Sequence, residues 1–106
     1  MEGVEHRHDG VLVRLAGELD LYNASDVAAA LGEVADAEPT RVVVDLTDVE
    51  FVDSTALGTL VAARQRLGDG RLVLAAAGPD VRRALEVSGL DQHFALSDSV
   101  DAAFAS

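Results

Sequence analysis

The stretch RVVVDLTDVEFVDSTALG, residues 41–58, decides the fold. Val42, Val43 and Val44 form an unbroken β-branched run that Leu46 extends past Asp45. A strand of that composition is buried on both faces and belongs in the middle of a parallel or mixed sheet. Thr47 and Asp48 punctuate it, and Val49 and Phe51 are expected to alternate back toward the core. Asp53-Ser54-Thr55 then supplies three residues able to cap a helix, and Ser54 places a hydroxyl at its start. Leu57, Leu60, Val61, Arg64 and Leu67 follow at helical spacing. Ala56 and Gly58, small residues in the first turn, are expected to leave that terminus open to another surface.

Around this centre the chain reads as strand, helix and strand in alternation. Asp9-Gly10 suits a two-residue hairpin turn between strands at Val4–His8 and Val11–Ala16, which would pair His8 with Val11, His6 with Val13 and Val4 with Leu15. Gly17-Glu18-Leu19-Asp20 leaves the second strand, and Asn23 or Ser25 can cap a helix with a Val27, Leu31, Val34, Ala35 stripe. Pro39 ends the connection into the central strand. Gly68-Asp69-Gly70 stops the next helix, and residues 71–77 give a further apolar strand. Pro79 opens a third helix, in which Val81, Ala84, Leu85 and Ser88 share a face and Gly89-Leu90 is the stop; Arg82 and Arg83 are read as surface charges. Residues 94–96 suit an edge strand, and Ser97 or Ser99 a cap for a last helix carrying Val100, Ala103 and Phe104.

Composition narrows the function. At 106 residues, 49% of them apolar, the chain is long enough for one core and is read as one domain spanning 1–106. It has no cysteine, hence no disulfide framework, thiol catalysis or thiolate metal site, as suits a reducing cytosol. No apolar run approaches the roughly 20 residues of a membrane span, and the N-terminus lacks the apolar core of a secretory signal, so a cytoplasmic location without membrane insertion is expected. Eight basic against nineteen acidic residues leave a net charge of −11, which repels nucleic acid and anionic lipid. All the basic residues are arginine, a usage that fits a GC-rich bacterial genome.

Catalytic chemistry finds little support. A hydrolase would need His93 as base to Ser54, but Asp53-Ser54-Thr55-Ala56 lacks the glycine-flanked elbow that exposes such a nucleophile. No phosphate-binding lysine follows Gly68–Gly70, so any ATP must come with a partner and no cofactor is expected. His6 with His8, Asp45 with Asp48, and Asp98 with Asp101 match no metal loop. The chain is read as non-enzymatic.

The segment VVVDLTDVEFVDSTALGTLVAA resembles the signature of the STAS domain in its short bacterial form, the anti-sigma factor antagonists. AGELDLYNA (residues 16–24) and GPDVRRALEVSGLDQHF (residues 78–94) resemble the family's two other markers, in order. The resemblance implies an α/β domain with a mixed central sheet of four to five strands, about four helices and an opening β-hairpin. It implies phosphorylation at Ser54 and a partner-binding surface of Glu18, Asp20, Asp53, Ser54, Thr55, Leu57 and Gly58. The implied function is partner switching in transcription regulation: the unmodified domain binds an anti-sigma factor with serine kinase activity and frees a sigma factor. Phosphorylation by that kinase ends the binding, and a serine phosphatase restores it. The alternative is a STAS subunit of a larger assembly, such as a lipid-transport complex or a stress-sensing scaffold, with its serine unmodified.

Overall fold

The computed structural model describes residues 3–68 and 70–105. Asp69, in the expected helix stop, lies outside the described residues. Five strands form one sheet in the order β1-β2-β3-β4-β5: Gly3–Arg7, Gly10–Leu19, Val42–Val52, Leu72–Ala75 and Ala95–Ser97. The first pair is antiparallel and the other three are parallel. Helices α1 (Ala24–Asp36), α2 (Ser54–Leu67) and α3 (Pro79–Ser88) connect the parallel strands, and α4 (Val100–Ala105) closes the described chain. The expected mixed sheet, helices and opening hairpin are therefore all present.

β3 holds the centre as its composition requires. Val42, Val43, Val44 and Leu46 are all 0% exposed, with burial worth about 1.5–3 kcal/mol per side chain. Val42, Val44 and Leu46 face the larger core with Val27 and Leu31 of α1, Leu57 and Leu60 of α2, and Val81 and Leu85 of α3. Val43 faces the other way, with Leu12, Val73 and Ala103 of α4. That thinner layer is fastened from the sheet: Arg41 Nη1 donates to the Ala103 carbonyl at 2.7 Å, and the Arg7 guanidinium stacks 4.3 Å from the Phe104 ring.

Several details depart from the alternation expected of the sequence. The hairpin register is Arg7↔Gly10, His6↔Val11 and Val4↔Val13, so the turn is His8-Asp9 rather than Asp9-Gly10. Gly10 is drawn into β2 because its backbone packs against Arg41, where a Cβ would stand 2.5 Å from the carbonyl oxygen. β2 and β3 run longer than expected, and two register shifts each give β3 one more residue than β2. Each shift breaks the alternation, so the inward positions are Leu46, Val49 and Val52, three apart, and Phe51 is turned outward at 50% exposure. β4 is shorter than expected, and Phe94 precedes β5 as a core residue. Ser99, not Ser97, caps α4, accepting from the Ala102 amide at 3.0 Å. Ser88 is exposed at the end of the α3 face, and Gly89 makes the left-handed stop at φ 78°.

Gly10→Ala should cost about 1–3 kcal/mol in urea unfolding, because it combines a steric clash with φ +146°. Gly17→Ala, at φ +74° with open space around the added methyl, should cost about 1 kcal/mol. Equal losses would show that the approach of Gly10 to Arg41 is not a constraint.

Candidate functional site

The carboxyl ends of β2 and β3 lie side by side, with Leu19 opposite Val52; β3 passes through Asp53 into α2, and residues 20–23 join β2 to α1. Asp53 joins the two. Its backbone N–H donates to the Leu19 carbonyl at 3.0 Å, fixing the strand ends together. Its Oδ1 accepts from the Ala56 amide at 2.9 Å, the side-chain cap of α2, while Oδ2 accepts from the Leu21 amide at 3.1 Å. One carboxylate therefore sets both the first turn of α2 and the loop before α1.

The cap assignment moves the role of Ser54. It is not the capping residue but the first residue of α2, exposed, and its hydroxyl has no hydrogen-bond partner among the described residues. Thr55 and Gly58 are likewise exposed, and a Cβ on Gly58 would meet nothing within 4 Å. Ala56, at 1% exposure, points into the core, so its methyl does not bear on what approaches the helix start from outside. Leu57 is also buried, at 6%, and lies beneath this surface as part of its support.

The loop before α1 is equally well defined. Asn23 sits at the helix boundary, yet neither it nor Ser25 caps α1 through its side chain. Asn23 Oδ1 instead accepts from the Asp20 amide at 2.8 Å, and its Nδ2 donates to the Glu18 carbonyl. Asp20 Oδ1 accepts from the Tyr22 amide at 3.0 Å, and the Asp20 carbonyl accepts from Asn23 and Ala24. This compact turn holds Leu21 and Tyr22 out at 67% and 91% exposure. With Phe51, paired to Glu18 in the ladder, they place three large apolar side chains around the ends of β2 and β3. Sequence periodicity missed all three. The available signal was Leu21-Tyr22 itself, two large apolar residues in a polar connection that fit no buried stripe.

The surface has the makings of a docking site rather than of a catalytic one. The exposed apolar groups share this end of the sheet with Glu18, Asp20, Asp48 and Glu50. His93 is exposed on the short 3-10 turn after α3, a different element from the Ser54 helix start. Among the described residues no group of three acidic or histidine side chains could hold a metal, and no helix is long and apolar enough to cross a membrane.

Fold and site together define a small α/β domain that presents an exposed serine at a helix start, beside exposed apolar side chains. Comparison with known proteins gives the family. The model of the STAS domain matches residues 3–103. The anti-sigma-F factor antagonist RsfB of Mycobacterium tuberculosis is 38% identical over 91 residues, 84% of this chain and 75% of that protein. The crystal structure of an anti-sigma factor antagonist from Mycobacterium paratuberculosis superposes with a TM-score of 0.90 at 34% identity, covering 97% of this chain and 89% of that one. The phosphorylated form of the Bacillus cell fate determinant SpoIIAA shares the fold, with a TM-score of 0.73 at 22% identity over 97% of this chain and 96% of that one. The chain belongs to the STAS domain family.

The geometry separates two neighbouring residues by stability alone. Asp53→Ala should cost about 0.5–2 kcal/mol through the lost cap and speed hydrogen exchange at the Leu21 amide. Ser54→Ala should change stability by no more than about 0.5 kcal/mol, since its hydroxyl holds nothing among the described residues. Melting curves and amide exchange on the two variants check both; a large loss for Ser54→Ala would restore it as a structural residue.

Proposed function

We propose that this chain is an anti-sigma factor antagonist acting as a phospho-switch. Unmodified, it docks on an anti-sigma factor with serine kinase activity through the surface around Ser54, releasing a sigma factor. Phosphorylated on Ser54 by that kinase, it lets go, and a serine phosphatase resets it. The partner supplies ATP and catalysis, so this chain works in the cytoplasm by binding alone. Relatives named as antagonists support the reading, as does SpoIIAA, known in phosphorylated and unphosphorylated forms.

The observation that carries it is the state of the Ser54 hydroxyl: exposed, released from capping by Asp53, and positioned by the first turn of a helix. A kinase can take such a hydroxyl without unfolding any part of the domain. The charge consequence is equally local. A phosphate adds about −1.5 to −2 charges. Asp53 already occupies the Ala56 amide, which leaves the Ser54 and Thr55 amides as the first-turn donors without an acceptor among the described residues. Two amides facing a carboxylate neighbour neutralise a dianion poorly, and the surrounding acids add repulsion. A partner surface that had desolvated this patch would be expelled.

Incubation with the cognate kinase and ATP should place phosphate on Ser54 by mass mapping. Ser54→Ala should bind the kinase persistently and Ser54→Asp weakly, although both melt near the wild type. Strong binding by Ser54→Asp would overturn the switch. Tyr22→Ala should weaken the same binding about tenfold or more, as expected for an exposed aromatic anchor, with little effect on melting. Unchanged affinity would place the interface away from this loop.

A further inference from the structure

The opposite margin of the sheet offers a second surface. β1 is a terminal strand, and Val4, Glu5, His6 and Arg7 are all exposed. The Val11 amide donates to the Arg41 carbonyl at 2.9 Å, so the backbone of Val11 faces β3. His6 lies opposite Val11 in the antiparallel ladder and must therefore turn its own N–H and C=O away from β2. Val4, two residues earlier, does the same. The outer margin of the sheet thus carries unpaired donors and acceptors at Val4 and His6, a template for another strand.

We propose that this margin pairs with β1 of a second copy of the chain, antiparallel and two-fold symmetric, with His6 opposite the His6 of the other copy. Charge selects that occupant and that register. Among the described residues of β1 only Val4 and His6 turn their backbone groups outward, which leaves three two-fold pairings. Val4 against His6 sets Glu5 directly against Glu5, a repulsive pair. Val4 against Val4 sets Glu5 against Gly3, so neither Glu5 nor Arg7 meets an opposite charge among the described residues. His6 against His6 sets Glu5 of each copy opposite Arg7 of the other, so the ion pair forms twice.

The local chemistry suits that arrangement. Arg7 Nε lies 3.3 Å from Asp9 and the guanidinium stacks on Phe104, which hold the side chain in place while its other N–H groups remain available to a carboxylate. Glu5 and Arg7 cancel in charge, making this strand a near-neutral strip on a chain of net charge −11. Behind it a recess of about 190 Å³ is lined by Val4, His6, Ala30, Glu33 and Val34. β1 begins opposite Arg14 of β2, well short of Leu19, so pairing here leaves the Ser54 surface uncovered.

Sedimentation velocity of the full chain at about 150 mM salt, where charges beyond about 8 Å are screened, tests the proposal. The wild type should show a concentration-dependent monomer–dimer equilibrium. Glu5→Arg should weaken it about tenfold or more by setting arginine against arginine, and adding Arg7→Glu should restore it, because the exchanged pair is complementary again. His6→Pro removes an N–H that β2 does not use, so it should leave a folded monomer by circular dichroism. A wild type that stays monomeric up to about 1 mM would overturn the proposal. So would a dimer indifferent to Glu5→Arg, or one weakened by it and not restored by an exchange variant that circular dichroism shows to be folded. The charge exchange decides the matter even where His6→Pro disturbs folding.

Discussion

The end of the sheet that carries Ser54 depends on the carboxylate of Asp53. Two oxygens on one side chain accept from two amides, Ala56 and Leu21, that are far apart in the chain, and the backbone of the same residue closes onto Leu19. A helix start, a loop and two strand ends are thereby held in one arrangement. A caps-only view would allow serine, threonine or asparagine at this position. Only an ionised carboxylate offers two acceptors in this geometry with no donor to conflict with the second amide. The division of labour follows: because aspartate does the structural work, the serine beside it keeps a hydroxyl without a partner among the described residues.

That arrangement sits on a sheet whose two faces are unequal. Three connecting helices cover one face of the parallel strands, while the other is covered by the short α4, tied down by Arg41 and Arg7. The register shifts late in β2 and β3 mark where this regular packing gives way. There β3 departs from strict alternation, Phe51 swings out, and the strand ends begin to serve an outside surface rather than the core. Acidic and apolar residues then share the exposed rim, a composition suited to a partner with apolar pockets and basic surroundings. Membership of the STAS family accords with this architecture.

The valine run of β3, the helical stripes of α1 and α2, the proline start and glycine stop of α3, and the placing of Ser54 at a helix start were all legible in the sequence. Each rests on a local rule: burial of an unbroken apolar run, the 3.6-residue period, or the backbone freedom of one residue type. What was not legible depended on contacts between distant segments. Which of Asp53, Ser54 and Thr55 caps α2 was settled by the loop after β2, because only Asp53 can also reach Leu21. The hairpin turn moved to His8-Asp9 because Gly10 had to approach Arg41, thirty-one residues away. Phe51 left the core because of register shifts against β2, which no pattern within β3 announces. The sequence by itself determined the elements, the buried strand at their centre and the candidate serine. Tertiary structure decided which side chains hold that serine and which apolar residues surround it, because bulges and bridging hydrogen bonds are set between strands rather than along them.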